Sequence, residues 1–335
     1  METQTVKKVR RKSVVRQATL PLHIMLLPGL ILVLVFHYST MLGVIIAFQK
    51  FDPVNSNGTL LSVFFGSPWA SNNGLGNFLD VIMNAEAMRA TFNTIVIACT
   101  KIVTMFFSPI ILSLMLNEIR KQVVKGGIQT VLYLPHFISW VILAGIVTQL
   151  LSTTGIINNL FATFHYANPQ AALTDSGAQM VLYNRINFLS SPNMFQPIII
   201  ISNIWKEIGW STIIYLAAIS GVDPTLYEAA VMDGANKLKQ MWHITLPGMK
   251  PIIVLLLVLS LQGVLNAGFD QIFNLYSIPT YEKGDIIDTF VYRISFERSQ
   301  WAIGAAVGFI KSLISLILIT VSYTLAYKLA NYEIF

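Results

Sequence analysis

EAAVMDGANKLKQMWHITLP, residues 228–247, is the stretch from which the rest of this 335-residue chain can be placed. Just before it, Asp223 and Pro224 suit the N-cap and first turn of a helix, which would carry Leu226, Ala229 and Ala230 along one face. Asp233-Gly234 supplies a turn where that helix must end. A second short helix is expected from about Ala235, with Leu238, Met241 and Trp242 on its apolar side, until Pro247 stops its continuation. The connector is therefore a structured helix-turn-helix with an alanine face open to close approach.

Long apolar segments flank this hairpin. Hydrophobic residues make up 54% of the chain and charged residues 11%, and the mean hydropathy is +0.63. A soluble protein of this length would lack polar surface, so an all-α integral membrane protein is expected. Six segments approach the roughly 20 residues that cross a hydrocarbon core: 22–47, 93–116, 128–151, 196–218, 248–268 and 303–327. Residues 1–21 form a basic tail, and 22–335 a single six-helix domain containing the 223–247 element.

Basic residues set the orientation. Lys7, Lys8, Arg10, Arg11, Lys12, Arg16, Arg120, Lys121, Lys125, Lys237, Lys239, Lys250 and Lys328 share one side if both termini are cytoplasmic, and fewer fall on the other. The hairpin between the fourth and fifth segments is then cytoplasmic. KKVRRK at 7–12 precedes an apolar stretch too long for a cleaved leader, and pI 9.3 is a topology signal matched by anionic lipid headgroups, not by nucleic acid. Cys99 stands alone, which excludes an intramolecular disulfide or a cysteine metal cluster. His23, His37, His136, His165 and His243 lack metal-ligand spacing, and no H-E-x-x-H, G-x-S-x-G or P-loop motif occurs. No catalytic residue and no metal ligand is expected, and His136, beside Pro135, reads as a packing or hydrogen-bonding group at a kink.

Polar groups inside the apolar segments are the candidates for a transport path, because a lysine at a helix centre costs about 2.5–3.5 kcal/mol on insertion scales. Lys101, Lys206 and Lys311 sit roughly 12–15 Å from the outer ends of their segments. With Asn203 and Glu207 they either line a site or its entrance, or snorkel and pair with carboxylates. If all three converged on a pore, an acidic oligosaccharide would fit. Neighbours Lys206 and Glu207 point about 100° apart and need separate partners. Trp205, Trp210 and Tyr215 offer aromatic faces to a sugar or to helix packing. Gln262 and Asn266 share a helical face at a spacing of four, for hydroxyl groups or interhelical bonding. Asp270, Gln271, Asp288 and Tyr292 are assigned to an outer vestibule, and Arg185, Arg293 and Arg298 to an exposed rim.

The spacing of Glu228, Ala229, Ala230, Gly234, Ile244, Leu246 and Pro247 resembles the cytoplasmic coupling motif of ABC-importer permeases. GLGNF at 74–78, NT at 93–94, YLPHFISW at 133–140, GIINN at 155–159, IWKEIGW at 204–210, FDQIF at 269–273 and DTFVYRISF at 288–296 extend the resemblance from about residue 22 to the C-terminus. Together they are similar to carbohydrate-uptake permeases of the maltose-transporter class, in the branch for oligosaccharides and polysaccharide fragments. The resemblance implies a MetI-like permease fold in a bacterial cytoplasmic membrane. It also implies a second homologous permease subunit, an ATPase dimer holding ATP and Mg, an extracytoplasmic solute-binding protein and no cofactor in this chain. Glu228 would meet a basic group on the ATPase, Ala229 and Ala230 would pack in its groove, and Asp233-Gly234 would make the turn. An ion-coupled secondary transporter is the alternative, with Lys206-Glu207 as its ion site.

Overall fold

The structure, a computed structural model, describes residues 11–53, 60–165 and 185–330. The first half of the basic tail, the centres of both outer loops and residues 331–335 lie outside the described residues. Among those described, secondary structure is helical, apart from one isolated bridge between Gln49 and Trp69.

Helix α1 (Arg11–Val33) is prolonged by a π turn over Leu34–Tyr38 and a 3-10 stretch over Leu42–Phe48. It exposes Ile24, Met25, Leu30 and Phe36, a surface that only lipid or a partner helix would solvate favourably. Short helices α2 (Leu60–Gly66) and α3 (Gly76–Met83) lead to α4 (Ala85–Asn117), capped by Asn84, whose side chain accepts from the N–H groups of Glu86 and Ala87.

The expected third segment is not one helix. Helix α5 (Gln122–Tyr133) passes into a 3-10 turn over Leu134–Phe137, the chain extends at Ile138, and α6 (Trp140–Leu151) starts anew from Ser139. Pro135 has no N–H to continue the ladder, and Ser139 caps the next helix through the N–H of Ile142. α7 (Ile156–His165) follows. α8 (Pro192–Ser220) is continuous and contains the expected fourth segment; Gly209 lets it touch α5 backbone to backbone, since a Cβ there would lie 2.1 Å from the Leu132 carbonyl oxygen.

The fifth segment also departs from expectation. α9 (Pro224–Met232) is followed by α10 (Lys237–Gln240), a π turn over Met241–Thr245 and α11 (Leu246–Leu261), which run on as one helical rod. Pro247 does not stop it. The proline stands in the first turn of α11, directly after the π turn, where the regular ladder is already interrupted. The rod then ends at Leu261, before the expected 268, in successive tight turns through Asn266. Short helices α12 (Phe269–Leu275), α13 (Tyr281–Gly284) and α14 (Ile287–Tyr292) follow, and α15 (Trp301–Ala330) closes the fold.

Three apolar clusters hold these elements. Ile97, Leu143, Val147, Phe195, Ile199 and Ile272 join α4, α6, α8 and α12. Val81, Ala90, Phe290, Ile294 and Ala306 join α3, α4, α14 and α15, with Ala47 at the end of the first helix. Ile110, Tyr215, Ile219 and Met249 join α4, α8 and α11 near the hairpin. Among the described residues, five helical stretches are long and apolar enough to cross a membrane: His23–Phe48, Ala85–Asn117, Trp140–Phe161, Lys237–Leu261 and Trp301–Thr324. α8 has the length, but Lys206, Glu207 and other polar groups lower its hydropathy.

Candidate functional site

The hairpin forms as its residues dictate. Asp223 accepts from the N–H of Thr225 at 2.9 Å, opening α9; the Thr225 backbone N–H first, and its side chain second, hold the exposed carboxyl below its usual pKa. At the other end Gly234 adopts φ +74°, and the N–H of Ala235 returns to the Ala230 carbonyl at 2.8 Å. That left-handed closure is the reason for glycine. Asn236 caps α10 through the Lys239 N–H, Gln240 donates to the Ala235 carbonyl, and Tyr227 bonds Thr245 at 2.9 Å, fixing α9 against the rod. Glu118, at the end of α4, lies 3.8 Å from Lys237, a solvent-screened pair worth little.

The hairpin's outer face is uncovered. Glu228, Ala229, Asp233, Gly234 and Pro247 are exposed, and Ala230, Ile244 and Leu246 are half-buried. Leu226, Val231, Met232, Leu238 and Trp242 are all more than half exposed, with Met232 at 87%. Five large apolar side chains thus stand exposed beside the carboxylates of Glu228 and Asp233.

Within the helical body, a cavity of about 350 Å³ opens between α4, α8, α11 and the turns after it. It brings together Lys101, Asn203, Tyr215 and Asn266 from the expected path, and adds Ser211 and Ser260. The spacing of four between Ser211 and Tyr215 was the available signal for one shared face. Lys101 donates to the Ala267 carbonyl at 2.6 Å and to Gln271 Oε1 at 2.5 Å. No carboxylate stands within ion-pair distance of it among the described residues. Gln271 is buried, not in an outer vestibule, and donates to the Ile199 carbonyl and to Ser202.

The remaining path candidates do not line this cavity. Lys206 is 7% exposed and its Nζ donates to the carbonyls of His136 (2.7 Å) and Ile138 (2.6 Å), with Pro135 at 3.4 Å. It supplies the donors that the broken ladder between α5 and α6 lacks, where unsatisfied carbonyls would each cost several kcal/mol in hydrocarbon. Glu207 Oε2 is 2.8 Å from His136 Nδ1, and the His136 ring stacks on Trp210 with centroids 4.5 Å apart. Contrary to the expectation of separate partners, Lys206 and Glu207 converge on His136, through its carbonyl and its ring, and lie 3.9 Å from each other, and His136 is the hydrogen-bonding group expected at the kink. Trp205 and Trp210 are 42% and 45% exposed.

Lys311 pairs with Asp288. Gln262 and Asn266 do not share a helical face, because α11 ends at Leu261 and Asn266 Oδ1 instead accepts from the Gly268 N–H. Asp270 is exposed on α12.

The expected basic rim is also corrected. Arg293 is buried, donating both terminal nitrogens to Asp285 at 3.0 and 2.5 Å and lying 4.6 Å over the Tyr281 ring. Its partner stands eight residues earlier, in the extended connection between α13 and α14. Arg185 is half-buried and bonds the Thr153 carbonyl, while Arg298 is exposed beside Glu86 at 3.2 Å.

A body that is helical throughout the described residues apart from one isolated bridge, with several helices of membrane-crossing length and apolarity, is that of an integral membrane protein. Residues 105–331 match the family of binding-protein-dependent transport system inner membrane components, and the chain belongs to it. It is 39% identical over 315 residues, 94% of this chain and 90% of that protein, to the polygalacturonan/rhamnogalacturonan transport system permease protein YteP of Bacillus subtilis (strain 168). It is 38% identical to LplB of the same organism over 89% of this chain and 86% of that one. The fold matches a chain in the crystal structure of a bacterial ABC transporter involved in the import of the acidic polysaccharide alginate. That match has a TM-score of 0.80 and 33% identity, and covers 96% of this chain and 99% of that one. A chain in the alginate ABC transporter in complex with an alginate pentasaccharide-bound periplasmic protein matches with a TM-score of 0.81 and 32% identity, over 97% and 100%.

Proposed function

We propose that this chain is a permease subunit of an ATP-driven carbohydrate importer, moving an oligosaccharide or polysaccharide fragment by alternating access. The observation that carries the reading is the exposed hairpin, built by Asp223, Gly234 and Tyr227 in a chain of this family. Its alanine and apolar surface suits a groove on a separate ATPase subunit that holds ATP and Mg, and Glu228 would meet a basic group there. The six expected segments, with α8 as the fourth crossing and the broken α5–α6 unit as the third, put both termini and the hairpin on the cytoplasmic side by the lysine and arginine bias. A second permease subunit would cover the apolar faces left exposed, and a solute-binding protein would deliver the sugar at the opposite side.

The substrate is proposed to be an acidic fragment. Lys101 is the cavity's cation and its hydrogen-bond partners are neutral, so its charge stays available to a carboxylate. Similarity to a polygalacturonan permease and to an alginate importer supports the same class. An ion-coupled transporter would need Lys206-Glu207 free to bind its ion; their engagement with the α5–α6 turn supports the importer instead.

The test is purification from native membranes under conditions that preserve complexes. ATP hydrolysis that co-purifies and is stimulated by oligogalacturonate supports the proposal. Purification free of any ATPase, from membranes that take up the sugar, overturns it.

A further inference from the structure

A polar cluster at the centre of α8 ties that helix to the α5–α6 break. α8 runs unbroken from Pro192 to Ser220, and only Gly221, Val222 and Asp223 separate its end from the hairpin helix α9. A displacement of the hairpin therefore reaches α8 through a very short connection. Halfway along that helix, Lys206 grips the α5–α6 turn on both sides: His136 within the 3-10 turn and Ile138 in the extended residue beyond it. Glu207 holds the same His136 by its ring, and Trp210 stacks on that ring. Backbone contact at Gly209 binds α5 to α8 one turn away. Beyond the break, α6 packs through Leu143, Ala144 and Val147 in the cluster that contains Ile272 and Leu275 of α12.

We propose that Lys206 and Glu207 form a latch across the break between α5 and α6, so that movement of the hairpin is delivered through α8 to the outer half of the molecule. The two are positioning residues: neither lines the cavity, and both act through His136 and the turn. Rigid elements with a defined joint transmit displacement, whereas a joint with loose carbonyls would absorb it. Pro135 and Ser139 interrupt and restart the ladder but leave the carbonyls of His136 and Ile138 to be satisfied, and the group that does so comes from α8, which ties the joint to that helix. A water or a side chain of the turn itself would satisfy those carbonyls without linking two helices, whereas Lys206 links them.

The inference rests on the ATP-driven transport reading, and its test keeps the two failures apart. The native assembly is reconstituted in proteoliposomes, with oligogalacturonate as the probe, and sugar moved per ATP hydrolysed is measured for the unmodified chain, Lys206→Met and Glu207→Leu. For Lys206→Met the ratio is expected to fall at least about tenfold while hydrolysis continues, since two charge-assisted hydrogen bonds across the joint are lost. For Glu207→Leu a smaller fall in the same ratio is expected. A purely structural role would lower the yield of assembled complex but leave the ratio of the surviving complex unchanged, and that result overturns the latch. If Lys206→Met does not assemble, Glu207→Leu decides alone, and an unchanged ratio again overturns it. Absence of ATP-driven uptake by the unmodified assembly would instead overturn the transport reading itself.

Discussion

Replacing Gly234 separates the two demands that the hairpin makes on one residue. Its φ of +74° is left-handed, and a Cβ built there meets nothing within 4 Å. Alanine therefore incurs only the conformational cost, about 1–2 kcal/mol for a side chain in that region. Such a cost shifts the balance between closed and opened hairpin by roughly 5- to 30-fold. Three contacts oppose the opening: the return bond from Ala235 to Ala230, the Tyr227–Thr245 bond and the Gln240–Ala235 bond. Asparagine tolerates the left-handed region and relieves most of the strain. Tryptophan pays the conformational cost and also projects a large ring onto the docking face. The expected order of retained ATPase, and of sugar-stimulated hydrolysis in the purified complex, is asparagine close to glycine, alanine reduced, and tryptophan lowest by a further factor of about ten, in line with overpacking at a close contact. Tryptophan performing as well as asparagine would refute the reasoning, since neither the left-handed turn nor the surface around it would then matter, and tryptophan equal to alanine would refute the part assigned to the surface.

Lys101→Gln keeps a donor for the Ala267 carbonyl but removes the cavity's charge, and should lower uptake of oligogalacturonate about 10- to 100-fold relative to its methyl-esterified neutral form. An equal effect on both sugars would show that Lys101 does not select for charge. Arg293→Met and Asp285→Leu should each destabilise the purified protein by about 3–5 kcal/mol, while the double substitution recovers most of that loss in thermal unfolding. A double variant as unstable as the sum of the singles would contradict a directly coupled pair. Because Asp223 has a lowered pKa in the folded hairpin, its contribution to the cap is present above the usual carboxylate range and is lost as pH falls through the lowered value. Hydrogen exchange at the Thr225 amide should therefore accelerate, beyond its intrinsic pH trend, only in acid, and Asp223→Asn should remove that transition.

The hairpin was legible in the sequence because its signals are local. An N-cap aspartate, a proline in the first turn and a glycine at the left-handed position specify it without reference to the rest of the fold. The break in the third segment was not legible, because hydropathy runs unbroken through YLPHFISW and a proline there is equally compatible with a kinked continuous helix. Its stability depends on Lys206, about seventy residues away, whose role no spacing encodes. The same reason explains Arg293: exposure was inferred from charge alone, whereas the short helices after α11 bring Asp285 beneath it. Pro247 misled in the opposite way, since a π turn immediately before it had already interrupted the ladder that the proline would have broken. Of the cavity, Ser211 and Tyr215 follow helical spacing, while Asn266 arrives through tight turns that hydropathy reads as more helix.

The most direct test is the energy source of transport. The assembly containing this chain, reconstituted in sealed vesicles, should accumulate oligogalacturonate when ATP is supplied on the hairpin side, with proton and sodium gradients collapsed, and should stop when ATP is withheld. Accumulation that persists without ATP and follows an imposed ion gradient would contradict the account.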